Sequence, residues 1–196
     1  MTRAATSWLE RRAPGRPFFA WVHYYDPHSP YTPPPAFAAR YRDRLYDGEI
    51  AYMDSEIAKL LAALEARGYR DRTLVIAVGD HGESLGEHGE ISHERLIYDS
   101  VMRVPLILAC PGLFRGPVRV ADAVVSTADI FPTLLALLGL PAPRPLDGVS
   151  LTIQRNKLTQ PCMPKMRATP LIGEILSSFI SIALIDQVGG FCRRCP

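Results

Sequence analysis

Two short apolar runs on either side of one long amphipathic stretch constrain this chain more than any other feature. The first run, Pro17-Phe18-Phe19-Ala20-Trp21-Val22-His23-Tyr24, is rich in aromatics, is bounded by Pro and Asp, and reads as a buried strand. The second, Thr73 to Gly79, reads as another. Between them, Ile50, Met53, Ile57, Leu60, Leu61 and Leu64 recur at three- and four-residue spacing, which predicts a helix over Tyr46 to Arg67 stopped by Gly68. Strand, helix, strand in that order predicts an α/β layered fold with a mostly parallel sheet flanked by helices.

The rest of the chain extends the pattern. A short helix is expected over residues 4–12 and another over Arg95 to Val101. Val104 to Ala109 reads as a third strand, whose Pro105 suits an edge or a strand start. Ser126 to Leu138 reads as a helix closed by Gly139 and Pro141, with Pro132 tolerated in its first turns. Asp26 to Pro35 holds five prolines, which fix φ and remove amide donors, so it is expected to be a stiff loop. The stretch Leu171 to Ile185 suits either a strand pair or a helix.

Composition narrows the function. An apolar share of 47% over 196 residues supports a packed core, and a net charge of +2 gives no reason to expect nucleic acid as a partner. Residues 152–196 carry six Lys and Arg against two Asp and Glu, so the tail differs from residues 1–151. The longest apolar run is interrupted by Glu174 and falls short of the roughly 20 residues of a transmembrane helix, so no span is expected. No apolar leader core stands at the N-terminus, so no signal peptide is expected. The four cysteines are scattered, and Cys192-Arg193-Arg194-Cys195 has neither a second pair nor a helix start to make it a redox or zinc motif.

Chemistry concentrates in Gly79-Asp80-His81-Gly82-Glu83-Ser84-Leu85-Gly86-Glu87-His88-Gly89-Glu90-Ile91-Ser92-His93, which holds three of the five histidines. Ligands of open α/β sheets bind beyond the carboxyl ends of strands. At that edge Asp80 offers carboxylate oxygens and His81 an imidazole nitrogen, the donors of a metal site. The same pair suits a plain turn in which Asp80 caps a helix, and the glycine-spaced ligands that follow weigh toward a site. His28, on the proline-stiffened loop, converges on Asp80 and His81 if the first two strands are parallel neighbours. His23 reads as a buried, hydrogen-bonded histidine. Glu83, Glu87 and Glu90 suit a solvated loop, or one of them a partner for His81 or His93.

With these residues assembled, the chain resembles the sulfatase family of the alkaline-phosphatase-like superfamily. The segments that carry the resemblance are Pro17-Phe18-Phe19 leading into His23-Tyr24-Tyr25-Asp26-Pro27-His28-Ser29-Pro30-Tyr31, then Tyr46-Asp47-Gly48-Glu49-Ile50, then Gly79-Asp80-His81-Gly82-Glu83 with Leu85-Gly86-Glu87-His88-Gly89. Tyr98-Asp99, Arg103-Val104-Pro105-Leu106-Ile107, Asp129-Ile130-Phe131-Pro132-Thr133-Leu134-Leu135 and Leu146-Asp147-Gly148-Val149-Ser150-Leu151 follow in the family's order. The resemblance covers about residues 7–151, as the later portion of the catalytic domain, and leaves 152–196 as a divergent or replaced tail.

The resemblance implies hydrolysis of sulfuric esters, on a small-molecule or glycan substrate, with a divalent metal. Asp80 and His81 look like the later pair of metal ligands. Calcium is the usual ion there, with magnesium, manganese and zinc also open. His28 and His93 look like catalytic histidines facing the ester group. The family's nucleophile motif, Cys or Ser-x-Pro-x-Arg, does not occur in the sequence; Cys162-Met163-Pro164-Lys165-Met166 lacks its arginine. The family's earlier acidic metal ligands are missing as well. The chain therefore resembles a fragment, and an inactive metal-binding fragment is the alternative reading. So is a phosphoester or phosphonate hydrolase, or a phosphoethanolamine transferase, of the same superfamily. Sheet strands without their partners imply self-association through an exposed edge.

Overall fold

Helix α3, Leu45–Ala66, is the spine on which the sheet is laid down. The computed structural model describes residues 1–114, 116, 117, 119, 124–154 and 180–186. The stripe expected on α3 is its buried face: Met53, Ile57, Leu60 and Leu64 are shut off from solvent. The helix closes as its sequence dictates. Gly68 takes φ +67°, the amide of Tyr69 reaches the carbonyl of Leu64 and that of Gly68 the carbonyl of Glu65, a Schellman closure.

Strands β1, Phe19–His23, β2, Thr73–Gly79, β3, Leu106–Ala109, and β4, Ile180–Asp186, form one sheet in the order β1-β4-β2-β3. The α/β layering is as expected, but the sheet is not mostly parallel. Every hydrogen-bonded pair in it is antiparallel. Strand β4 lies between β1 and β2 and runs against both, and β3 runs against β2. Strands β1 and β2 therefore point the same way without touching. Their carboxyl ends are level, because Ser181 of β4 faces His23 on one side and Val78 on the other.

Helices cover the two faces of the sheet. On one, α1, Thr2–Arg11, and α3 bury Leu9, Leu60 and their neighbours against Val22, Ile180, Ile182 and Leu184. On the other, α5, Ile130–Leu138, packs Leu134 and Leu137 over Leu74, Ile76, Ala183 and Ile185. Fully burying one such side chain stabilises the fold by about 1.5–3 kcal/mol. Helix α5 reaches over β2 and β3 but not β1. The expectation of a buried first strand is thus corrected: β1 is an edge, with Phe19 58% and Trp21 60% exposed. His23, expected to be buried, is exposed too, although its Nδ1 does bond the Ser181 hydroxyl at 3.1 Å.

Other elements differ in detail. A short helix, α2, Pro35–Arg40, begins where only loop is expected, with proline in its first turn. The helix expected over Arg95 to Val101 is α4, Asp99–Met102. Helix α5 is entered through a 3-10 turn capped by Ser126, whose capping box is closed by Asp129. Asp129 then accepts the Val149 amide at 2.7 Å, which docks the chain ahead of α6, Leu151–Gln154. Of Leu171 to Ile185, residues 180–185 lie in β4, and the remainder lies outside the described residues, as do Cys162 and the Cys192–Cys195 pair. No helix among the described residues is long and apolar enough to cross a membrane.

Candidate active site

Two loops leave the same end of the sheet, one after β1 and one after β2, and between them they hold all four residues singled out from the sequence. Asp80 and His81 follow β2 directly. Gly82 is there by necessity. Its amide bonds the Val101 carbonyl at 2.6 Å, and a Cβ at this position would stand 1.9 Å from the carbonyl oxygen of Ser100. Beyond Gly82 the chain doubles back. Ser92 donates its amide to Ser84 at 2.8 Å, Leu85 and Ile91 bridge, and Gly86 at φ +120° makes the turn. This returns His93 to the start of the loop, where its ring lies 3.8 Å from that of His81, with the planes 26° apart.

Glu83, expected either in a solvated loop or as a partner for His81 or His93, is buried. Its Oε1 accepts from Nδ1 of His93 at 3.2 Å, so it is the partner of that histidine. Glu90 is buried as well and accepts the amides of Arg95 and Leu96. Glu87 is exposed and bonds the Leu85 amide at 2.7 Å. His88 stacks on Tyr98 at 4.0 Å.

The loop after β1 carries His28, stacked on Tyr25 at 4.5 Å. Its Nδ1 lies 2.5 Å from the Ser29 carbonyl. Three residues on stands Tyr31, whose ring packs edge-on against Tyr46 with centroids 5.3 Å apart. Burial, then Glu83 and Glu49, push the Tyr31 hydroxyl up to about 12. The Asp26 carboxyl is raised from its ordinary value by its partial burial, an effect that His28 partly offsets. His81 and His93 thus meet ring to ring, and His28 lies on the loop that leaves the same end of the sheet. The two loops share that end because β1 and β2 point the same way across β4, not because the strands are adjacent as expected from the sequence.

One pattern runs through the three histidines. Nδ1 of His28 faces the Ser29 carbonyl, Nδ1 of His81 the Gly82 carbonyl at 2.8 Å, and Nδ1 of His93 the Glu83 carboxylate. Carbonyls and carboxylates only accept, so each Nδ1 carries the hydrogen. Metal-binding histidines are held in this way. Nε2 of His81 is 3.9 Å from Oδ1 of Asp80, a span one cation can bridge. Among the described residues, however, no group of three or more His, Cys, Asp or Glu is placed to hold an ion. Asp80 and His81 fit a divalent metal as two donors, and four to eight are needed.

Tyr31 and Glu49 carry no assigned role in the sequence analysis. Glu49 had a signal, since it sits four residues before Met53 on the apolar stripe of α3, where a carboxylate needs a buried partner.

Residues 1–140 match the family model for sulfatases. The chain belongs to the sulfatase family. It is 28% identical over 185 residues to an arylsulfatase of Clostridium perfringens, covering 73% of this chain and 38% of that protein. To human arylsulfatase D it is 31% identical over 165 residues, covering 77% of this chain and 28% of the relative. It is also 34% identical over 109 residues to a multifunctional alkaline phosphatase superfamily protein of Trinickia caryophylli, covering 54% of this chain and 20% of the other. The sulfatase chain thus spans only a fifth to two fifths of the length of these relatives.

Proposed function

We propose that this chain supplies the metal-pair and substrate-histidine side of a sulfuric ester hydrolase site. The observation that supports it best is the His81–His93 stack, backed by Glu83. Asp80 and His81 are two ligands of a divalent cation, calcium by the family's habit. Bound there, the ion would neutralise charge on the ester oxygens. His28 and His93, each with Nδ1 committed, present Nε2 to the sulfuryl oxygens or the leaving group. A protonated Nε2 donates a hydrogen bond to a developing anion and stabilises it. The substrate is a sulfate ester on a small molecule or a glycan.

The nucleophile is not in these 196 residues, since no Cys or Ser-x-Pro-x-Arg occurs. Turnover therefore needs a nucleophile from elsewhere, and the chain by itself binds without cleaving. The second reading, a phosphoester site, is favoured by the likeness to the Trinickia protein. The test is an assay of the purified chain with calcium on aryl sulfate and aryl phosphate, together with equilibrium binding of sulfate and phosphate. The expected result is no turnover and preferential binding of sulfate. Turnover well above background that disappears with Asp80→Ala refutes the binding-only reading, and preference for phosphate moves the chain to the second.

A further inference from the structure

The hairpin that brings His93 back to the start of its loop pairs more than the histidine. Gly86 donates its amide to Glu90 at 3.0 Å and Ser92 to Ser84 at 2.8 Å. Leu85 and Ile91, which bridge between those bonds, are therefore a non-hydrogen-bonded pair, the kind that brings side chains closest. The next pair on that face is Glu83 and His93. Ser92 takes φ +99°, yet His93 keeps the register, because its Nδ1 meets Oε1 of Glu83 at 3.2 Å. Side chains alternate across a ladder, so Leu85 and Ile91 share the face of Glu83 and His93 and stand about 7 Å further out. The Ser84 hydroxyl, on the opposite face, accepts from that of Ser100 at 3.4 Å.

This outer pair is apolar and open, with Leu85 51% exposed and Ile91 81%. Single apolar residues on a surface need no explanation, but two set side by side next to a site histidine make a patch that favours an apolar ligand. The polar groups of the turn are engaged within it. Oε2 of Glu87 accepts the Leu85 amide at 2.7 Å, the Ser84 hydroxyl donates to the Glu87 carbonyl at 3.3 Å, and His88 stacks on Tyr98. A sugar needs donors and acceptors for its hydroxyls, and this face offers hydrocarbon. The loop after β1 has a similar neighbour for its histidine, since Tyr25, 61% exposed, stacks on His28. Glu49 fixes that loop, its buried carboxylate accepting the His28 amide at 2.9 Å and the Thr32 amide at 2.6 Å.

We propose that Leu85 and Ile91 are specificity-determining residues that seat the alcohol part of the ester, so that the chain selects sulfate esters of aryl or alicyclic alcohols over those of sugars. This rests on the ester-site reading above, which puts the sulfuryl group at His93. An aromatic body attached to that group then lies along the hairpin face, over the apolar pair.

The experiment is calorimetric binding to the full chain, with calcium, of three monoanionic esters: methyl sulfate, 2-naphthyl sulfate and glucose 6-sulfate. Equal charge leaves the alcohol as the variable. The naphthyl ester is expected to bind about tenfold tighter than the methyl ester, which corresponds to about 1.4 kcal/mol and to burial of roughly 55 Å² of apolar surface. The sugar ester is expected to match the methyl ester. Ile91→Ser and Leu85→Ser should each cut the naphthyl-to-methyl ratio to about threefold, with a native melting temperature because both side chains are exposed. If Leu85→Ser fails to fold, Ile91→Ser decides. A ratio near one in native protein, a sugar ester bound as tightly as the naphthyl ester, or a tenfold ratio kept in Ile91→Ser overturns the proposal and leaves the ester site standing. Binding of none of the three esters overturns both.

Discussion

The rings of His81 and His93 lie on each other at 3.8 Å although the residues are twelve positions apart. Contact of this kind holds His81 with Nε2 directed by two restraints, the Gly82 carbonyl on one ring nitrogen and the neighbouring ring on one face. The pair Asp80 and His81 is therefore well arranged as two donors, and short of a shell.

Calorimetric titration of the chain with calcium is expected to give a dissociation constant on the order of 10⁻⁴ M or weaker, the range of sparsely built oxygen sites. Asp80→Ala should remove the heat of binding. Submicromolar affinity would contradict the two-donor account.

Gly82→Ala should damage the loop rather than the core. The added Cβ meets a backbone oxygen at 1.9 Å, and backbone cannot rotate aside as a side chain can. A loss of about 1–3 kcal/mol in denaturant melts is expected, with the ring contact between His81 and His93 lost from NMR. A fully native variant would show that the close approach to Ser100 is not required.

The pH dependence follows from three groups. Asp26 and Glu49 are raised above 3.8 and 4.5, in both cases first by burial. A raised carboxyl contributes stability in full below its unfolded value and loses it as pH rises through its folded value. The advantage of native protein over Glu49→Gln in melting temperature should therefore be greatest at and below pH 4.5 and shrink above it. Tyr31, raised from 10.0 to about 12, contributes stability that is lost across that interval, and Tyr31→Phe should flatten it. An advantage over Glu49→Gln that grows with pH would mean that the sign is wrong.

Strand β4 is tested by truncating one of its side chains. Ile182 is 1% exposed, so Ile182→Ala should cost about 2–5 kcal/mol, as in other cores. A cost below about 0.5 kcal/mol would remove β4 from the sheet.

Trp21 stands on the open face of the edge strand, and association through that edge is the expected liability. Trp21→Lys should lower the aggregated fraction in sedimentation while leaving the melting temperature nearly unchanged. Unaltered sedimentation would place any association elsewhere.

Legibility divided along physical lines. Strand β2 and the Asp80-His81 pair at its end were plain because an apolar run stops at Gly79. Helix α3 was plain because its stripe repeats over about four turns, from Ile50 to Leu64. Strand β4 was not, since all seven of its residues are buried and a strand covered on both faces has no alternation to read. The direction of the sheet went with it: nothing in the β1-α3-β2 pattern announces a strand from the tail between them. The candidate site residues outside regular structure were singled out by type and spacing. Glu83, Glu49 and Tyr31 were harder because their roles depend on burial, which the loop after β1 supplies only when folded.

The seat of β4 also sets an order of events. Strands β1 and β2 share no ladder, and the pair His23 and Ser181 that helps to join them is 158 residues apart in the chain. Closing so long a loop is slow and entropically unfavourable. At about 5–20 residues per second on the ribosome, β1 waits on the order of ten seconds for its partner. Through that interval its aromatic side chains and both rows of its backbone amides face whatever else is nearby, so the nascent chain is most in need of a chaperone while its helices are already made.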